Sequence, residues 1–166
     1  RYAGLPPEIG LSETQQTLVI NGLRGQVTLQ TDGQIKTGRD IVMMAMLGAE
    51  EYGFATSALI VLGCVMMRKC HLNTCPVGVA TQDAELRKRF LGKYEYLVNF
   101  FNYLAEEVRE HLAEMGFTKL DDIIGRTDLI VRRTSYSNKK FNTLNFSRLL
   151  HLPEQVSDIL KMTMSG

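Results

Sequence analysis

The chain has no excess of charge of either sign, no long apolar run and few cysteines. Its 19 basic and 18 acidic side chains leave a formal net charge of +1. That balance provides no electrostatic footprint for nucleic acid. The longest apolar stretch, Phe54 to Met67, is broken by Thr56, Ser57 and Gly63 and is too short to span a bilayer. Internal repeats and low-complexity tracts are absent. Cysteine occurs at Cys64, Cys70 and Cys75 only, and an odd count cannot pair off completely in disulfides. No signal-peptide pattern is seen, so a cytoplasmic protein with reduced thiols is expected.

What is present suits a packed domain: 166 residues with 45% hydrophobic side chains. The chain starts at Arg1 rather than methionine, and its first ten residues read as loop. A piece of a longer polypeptide is expected.

Ser12-Glu13-Thr14-Gln15 has the form of a capping box and predicts a helix to about Leu23, with Leu18, Val19 and Leu23 inward and Gly25 ending it. Gln26 to Gln30 alternates as a strand, and Thr31-Asp32-Gly33-Gln34 is a turn cluster. Thr37 caps a predicted helix from Asp40 to Leu47. Tyr52 to Ala55 reads as a short strand, and Ser57 opens a helix to Lys69 that carries Cys64. Alternation of this kind argues for parallel strands with crossover helices. Two such strands need further cover on their faces and edges. Downstream, a short helix is predicted from Asp83 to Phe90. A long one follows from Lys93 to Met115, packing through Tyr94, Leu97, Phe101, Leu104, Val108, Leu112 and Met115 and ending at Gly116. Thr118 to Ile124 reads as a further short helix. Arg132 to Asn142 reads as a linker, and Leu144 to Gly166 holds two brief apolar helical fragments.

Two sites emerge from the residues. Each predicted strand runs through a glycine turn into a helix start, where free N–H groups and a partial positive charge suit a phosphate. Gly33 and Gly53 would let backbone approach an anion, although glycines at such junctions also simply serve tight turns. The run from Cys64 to Cys75 places three soft ligands within twelve residues. The Cys75-Pro76 step is similar to the end of a ferredoxin ligand run, where proline stops helix and exposes loop amides to cluster sulfurs. Zinc on these cysteines with His71 is the competing reading, although no pair has the usual two-to-four spacing. Cys64 as a plain core cysteine is another. Arg68 and Lys69 could offset the charge of a thiolate-bound cluster or simply face solvent. At ~1.5 Å per residue, about 10 Å of helix would separate Ser57 from Cys64, making the two sites neighbours.

Many separated motifs agree in order and spacing with one family. Glu13-Thr14-Gln15-Gln16-Thr17-Leu18, Thr31-Asp32-Gly33-Gln34, Lys36-Thr37-Gly38-Arg39-Asp40, Leu47-Gly48-Ala49-Glu50-Glu51, Gly53-Phe54-Ala55-Thr56 and Cys70-His71-Leu72-Asn73-Thr74-Cys75-Pro76-Val77-Gly78-Val79-Ala80-Thr81-Gln82 resemble the glutamate synthase large subunit. The likeness continues through Gly125-Arg126-Thr127-Asp128.

The resemblance implies an α/β fold: the last two βα units of a (β/α)8 TIM barrel, a cysteine loop and a mainly helical extension. Residues 1–82 would be the barrel part with the iron–sulfur loop. Residues 83–130 would be the helical extension, and 131–166 a linker and the start of a β-helix domain. Asp32, Gly33, Gln34, Gly53, Phe54, Ala55 and Thr56 match the family's FMN-phosphate region. Cys64, Cys70 and Cys75 match the ligands of its 3Fe-4S cluster. Family members make two L-glutamates from L-glutamine and 2-oxoglutarate. Electrons pass from the cluster to FMN and on, as hydride, to the imine of 2-oxoglutarate. The electron source would be a small subunit carrying FAD and using NADPH, or ferredoxin. The glutaminase domain and the first six barrel strands are absent here. No catalytic residue is therefore assigned, no cysteine is read as a nucleophile, and the chain alone is expected to be inactive. The remaining partner would be the rest of the large subunit. Another FMN-barrel oxidoreductase, or a zinc-stabilised interaction module, are the alternatives.

Overall fold

In a computed structural model, residues 4–133 and 139–154 are described. The first helix, α1 (Pro7–Ile20), starts earlier than the capping-box pattern predicts, with Pro7 at its first position. Proline suits that position because its missing N–H would be unpaired there in any case. Ser12 is not a cap. It is buried one turn into the helix, and its hydroxyl donates to the carbonyl of Leu149 at 2.5 Å. The inward residue is Leu11, whereas Leu23 is exposed. The helix stops at Gly22 (φ 68°) rather than Gly25. The N–H of Gly22 donates to Val19 and that of Leu23 to Leu18, which is a Schellman ending.

The first strand also starts later than its alternation suggests. Arg24–Gln26 form a 3-10 turn, and β1 is Gln30–Asp32. Arg24 accounts for the shift. Its guanidinium donates to the side chain of Gln15 and to the carbonyls of Val27 and Gly48, and pairs with Glu50 at 2.7 Å. These bonds tie down the approach to the strand. Ladder pairing begins only where the N–H groups of Glu50 and Glu51 reach the carbonyl of Leu29.

The next helix, α2 (Gly38–Met46), matches expectation within two residues. Thr37 accepts from the N–H of Asp40, and the Asp40 carboxylate accepts from the N–H groups of Lys36 and Thr37. This reciprocal capping box satisfies amides that the first turn leaves free. β2 is Glu51–Gly53, and it pairs in parallel with β1, Thr31 opposite Tyr52 and Asp32 opposite Gly53. The α/β class with a parallel pair is therefore present.

The helix α3 (Thr56–Val61) is much shorter than the predicted run to Lys69. Gly63 (φ 92°) ends it, with the N–H of Gly63 on Ile60 and that of Cys64 on Leu59. Cys64 thus sits just past the helix, not on it. Then come a 3-10 turn at Cys70–Leu72, α4 (Ala84–Arg87) capped by Asp83, and α5 (Tyr94–Met115) closed by Gly116 at φ 83°. Tyr94 is 75% exposed, contrary to the predicted stripe, because the buried stretch of α5 begins farther along, at Leu104 and Leu112. Leu120–Ile123 form a 3-10 turn in place of the helix predicted from Thr118 to Ile124, and Thr127–Leu129 form another beyond it. Lys139–Asn142 form α6, within the segment read as linker. Of the two tail fragments, the part beyond residue 154 lies outside the described residues. Leu149 and Leu150 pack back beside Leu11.

α2 is the centre of the molecule. Val42, Ala45 and Met46 face Leu112 and Ile123, Met44 faces Leu11 and Ala49, and Ile41 joins Ile35 and Leu104. Tyr52 borders all three groups and donates its hydroxyl to Ala49. Among the described residues no helix is long and apolar enough to cross a membrane.

Candidate cofactor site

Parallel pairing puts both strand ends at one edge. Asp32 stands opposite Gly53, so Asp32-Gly33-Gln34 and Gly53-Phe54-Ala55-Thr56 leave the sheet side by side. Gly33 has φ 106° and Gln34 φ 66°, and a Cβ on Gly33 would meet nothing within 4 Å. Glycine is required there by conformation, and the space beside it is open. A cleft of about 520 Å³ lies against Asp32, Gly33, Gln34, Arg39 and Asp40. Gly53 differs: a Cβ there would come 2.8 Å from the Cβ of Asp32, so the neighbouring strand gives this position its own reason to be glycine. The Phe54 ring meets Phe101 edge-on, centroids 5.2 Å apart, and so packs towards α5. Next to Thr56, the hydroxyl of Ser57 is buried and finds no hydrogen-bond partner. Buried hydroxyls normally find one, so this unpaired hydroxyl at the start of α3 is an exception among the buried polar groups.

The cysteine loop is built differently. Cys64, Cys70 and Cys75 line one small cavity of about 20 Å³, and all three thiols are free. The chain wraps it through left-handed residues: Gly63, Met66, Arg68, Asn73 and Gly78. Asn73 closes the wrap, its side chain accepting from the N–H of Gln82 at 2.6 Å and from the Thr81 hydroxyl. Amides converge on sulfur. The N–H of Ala80 foremost, joined by those of Val77, Val79 and Gly78, holds the Cys75 thiol below its ordinary value, against an opposing push from burial. The N–H of Met66 points at the Cys64 sulfur at 3.4 Å. Amides directed at sulfur favour the thiolate, the form that binds iron and that hydrogen bonds tune in iron–sulfur sites. Among the described residues, no three His, Cys, Asp or Glu donors converge closely enough for a single ion. His71, Arg68 and Lys69 are exposed.

The Cys75-Pro76 step points to the loop amides that follow Cys75, whereas the structural parts of Ser57 and Asn73 have no motif. Ser57 is expected only as a helix opener, and its buried, unpaired hydroxyl has no local signature. For Asn73, a left-handed turn that asparagine tolerates has no periodicity to reveal it.

The arrangement defines an α/β segment in which parallel strand ends lead, through one short helix, to a thiol-lined loop. Residues 1–118 match the family described as "Conserved region in glutamate synthase", and the chain belongs to that family. It is 55% identical over 157 residues to the glutamate synthase [NADPH] large chain of Bacillus subtilis (strain 168), covering 94% of this chain and 10% of that one. It is 60% identical over 139 residues to the glutamate synthase [NADH] of Schizosaccharomyces pombe, covering 84% and 7%. With the chloroplastic ferredoxin-dependent glutamate synthase of Spinacia oleracea it shares 57% identity over 150 residues, covering 90% and 9%. The chain thus spans about a tenth of the length of these curated relatives.

Proposed function

We propose that this chain is the cofactor-bearing part of a glutamate synthase. Asp32, Gly33, Gln34, Gly53, Phe54, Ala55 and Thr56 would hold the phosphate of FMN. Cys64, Cys70 and Cys75 would hold a 3Fe-4S cluster. When bound, the cluster supplies one-electron transfer and the flavin two-electron hydride transfer. The chain's own residues do the holding: backbone at Gly33 and Gln34 faces the open cleft, and the amides of Val77 to Ala80 stabilise a thiolate at Cys75. The strands would form part of a (β/α)8 barrel, where the loops after the last two strands frequently bind phosphate.

One observation carries the reading. α3 begins at Thr56, at one candidate site, and its Schellman ending is closed by the N–H of Cys64, at the other. At ~1.5 Å per residue, its six residues bridge about 9 Å. That separation suits electron exchange between two bound centres.

The overall reaction in this reading converts L-glutamine and 2-oxoglutarate into two L-glutamates, with the rest of the large subunit supplying the substrate sites. Relatives named for NADPH, NADH and ferredoxin share 55%, 60% and 57% identity with this chain. The segment therefore serves a step common to all three donors, and either a small FAD-carrying subunit or ferredoxin would feed it. Three free thiols suit a reducing cytoplasm.

The test is anaerobic purification of the longest natural polypeptide that contains this segment, with iron, sulfide, zinc and flavin assayed. Iron with sulfide and stoichiometric FMN is the expected result, and Cys70→Ser should abolish the iron signal and its EPR spectrum. Stoichiometric zinc without iron would overturn the reading in favour of an interaction module.

A further inference from the structure

α5 lies outside the two strand–helix units, yet it grips both strand-end loops. The N–H of Gly38, the first residue of α2, donates to Glu107 Oε2 at 2.7 Å. Gly38 is buried, and a Cβ there would stand 2.8 Å from both the Cβ of Glu107 and the N of Val108. The backbones of the two helices are therefore in direct contact at this point, and no other residue type fits. Thr37 and Asp40 cap α2 from within its own turn. Glu107 caps it from a different element. Six residues earlier on α5, Phe101 holds Phe54 of the second loop.

Gly38 follows Gln34 by four residues. The intervening loop begins at Asp32, pinned by its pairing with Gly53, and passes through two consecutive left-handed residues, Gly33 and Gln34. A glutamine adopts that conformation reluctantly. Such a segment persists when both of its ends are held.

We propose that Glu107 is a positioning residue for the flavin loops. Its carboxylate fixes the start of α2, and so keeps Asp32-Gly33-Gln34 in the shape that receives the phosphate. This rests on the flavin reading above. The carboxylate is not itself a ligand: its negative charge suits the positive end of α2 and would repel a phosphate.

The experiment compares Glu107→Ala, Glu107→Gln and Leu112→Ala in the longest natural polypeptide containing the segment. FMN titration of the apoprotein is followed by flavin fluorescence, and amide exchange is measured over residues 33–38. Glu107→Ala should weaken FMN about tenfold, the loss of one hydrogen bond to a charged group, and speed exchange at Gly38. Glu107→Gln retains an acceptor and should recover most of both. Leu112→Ala, a core truncation on the same helix, should lower Tm without either change. Wild-type affinity and exchange in Glu107→Ala would overturn the proposal. So would an equal loss of FMN affinity in Leu112→Ala, which would make Glu107 merely structural. A wild-type apoprotein that takes up no FMN would instead sink the flavin reading itself, while the exchange data would still report whether Glu107 holds α2.

Discussion

The two candidate sites are held in place by different physics, although one short helix joins them. The strand-end loops are fixed by regular structure: a parallel register that sets Asp32 against Gly53, and a reciprocal cap at Thr37 and Asp40. The cysteine loop contains only the 3-10 turn Cys70–Leu72. Its shape comes from left-handed residues, from Asn73 and from amides aimed at sulfur. An anion can be cradled by any backbone that presents N–H groups, so helices and strands suffice there. Three cysteines lining one cavity need a chain that reverses direction repeatedly, which helices and strands do not do. Damage to one site should therefore leave the other largely intact.

The largest effect should come from paired glycine replacements. In Gly78→Val, the new Cβ would overlap the Leu86 carbonyl oxygen and crowd the N of Phe90, at a residue with φ 74°. Both the backbone conformation and the packing against α4 are lost, with the conformational part alone costing about 1–3 kcal/mol. Iron should fall to a small fraction of wild type while flavin is retained. In Gly53→Val the side chain would strike the Cβ of Asp32 and part the two strands. Flavin should be lost while iron is retained. Metal and flavin assays on both proteins check the crossing; loss of both cofactors from each variant would show that the sites form one unit.

A smaller effect is expected from Asn73→Ala. It removes the acceptor for the N–H of Gln82 and the Thr81 hydroxyl and leaves an alanine at φ 57°. Together these should cost about 2 kcal/mol. The variant should assemble its cluster but release iron faster on warming, with flavin release unchanged. Following both absorbances through a thermal ramp tests this, and parallel release of the two would count against it.

The same contrast explains what could be read from the chain. α2 was legible because Thr37 and Asp40 form a capping box followed by a buried face, and α5 because its period runs for six turns to Gly116. The capping-box pattern at Ser12 misled because the serine hydroxyl is used by Leu149, 137 residues away, a contact with no local signature. β1 was misplaced because Arg24, not alternation, decides where pairing begins. The apolar run continues to Met67, but a Schellman turn at Gly63 outweighs it and ends the helix well before Lys69. The candidate site residues rest on motif and resemblance. The unpaired Ser57 hydroxyl and the Glu107 bond to Gly38 have no such signature, because burial and a contact from a distant helix define them.

The smallest effect distinguishes the sites by acid. Burial pushes the Asp40 carboxyl up, but the N–H groups of Lys36 and Thr37, the Thr37 hydroxyl and the nearby Arg39 outweigh it and hold the carboxyl below its ordinary value. A depressed folded value means that the ionised group stabilises the fold above the ordinary carboxylate range. That contribution is lost as pH falls through the folded value. The cap at the start of α2 should therefore weaken in acid, by about 1 kcal/mol at most. Flavin release should accelerate over the same interval, because α2 starts four residues after Gln34. Asp40→Asn retains an acceptor but cannot titrate, so it should release flavin somewhat faster at neutral pH and show a flatter acid dependence. Stopped-flow release of FMN from pH 7 down to the onset of unfolding makes the comparison. Parallel profiles for wild type and Asp40→Asn would assign the acid sensitivity to another carboxylate and remove the cap from the account of the phosphate loop.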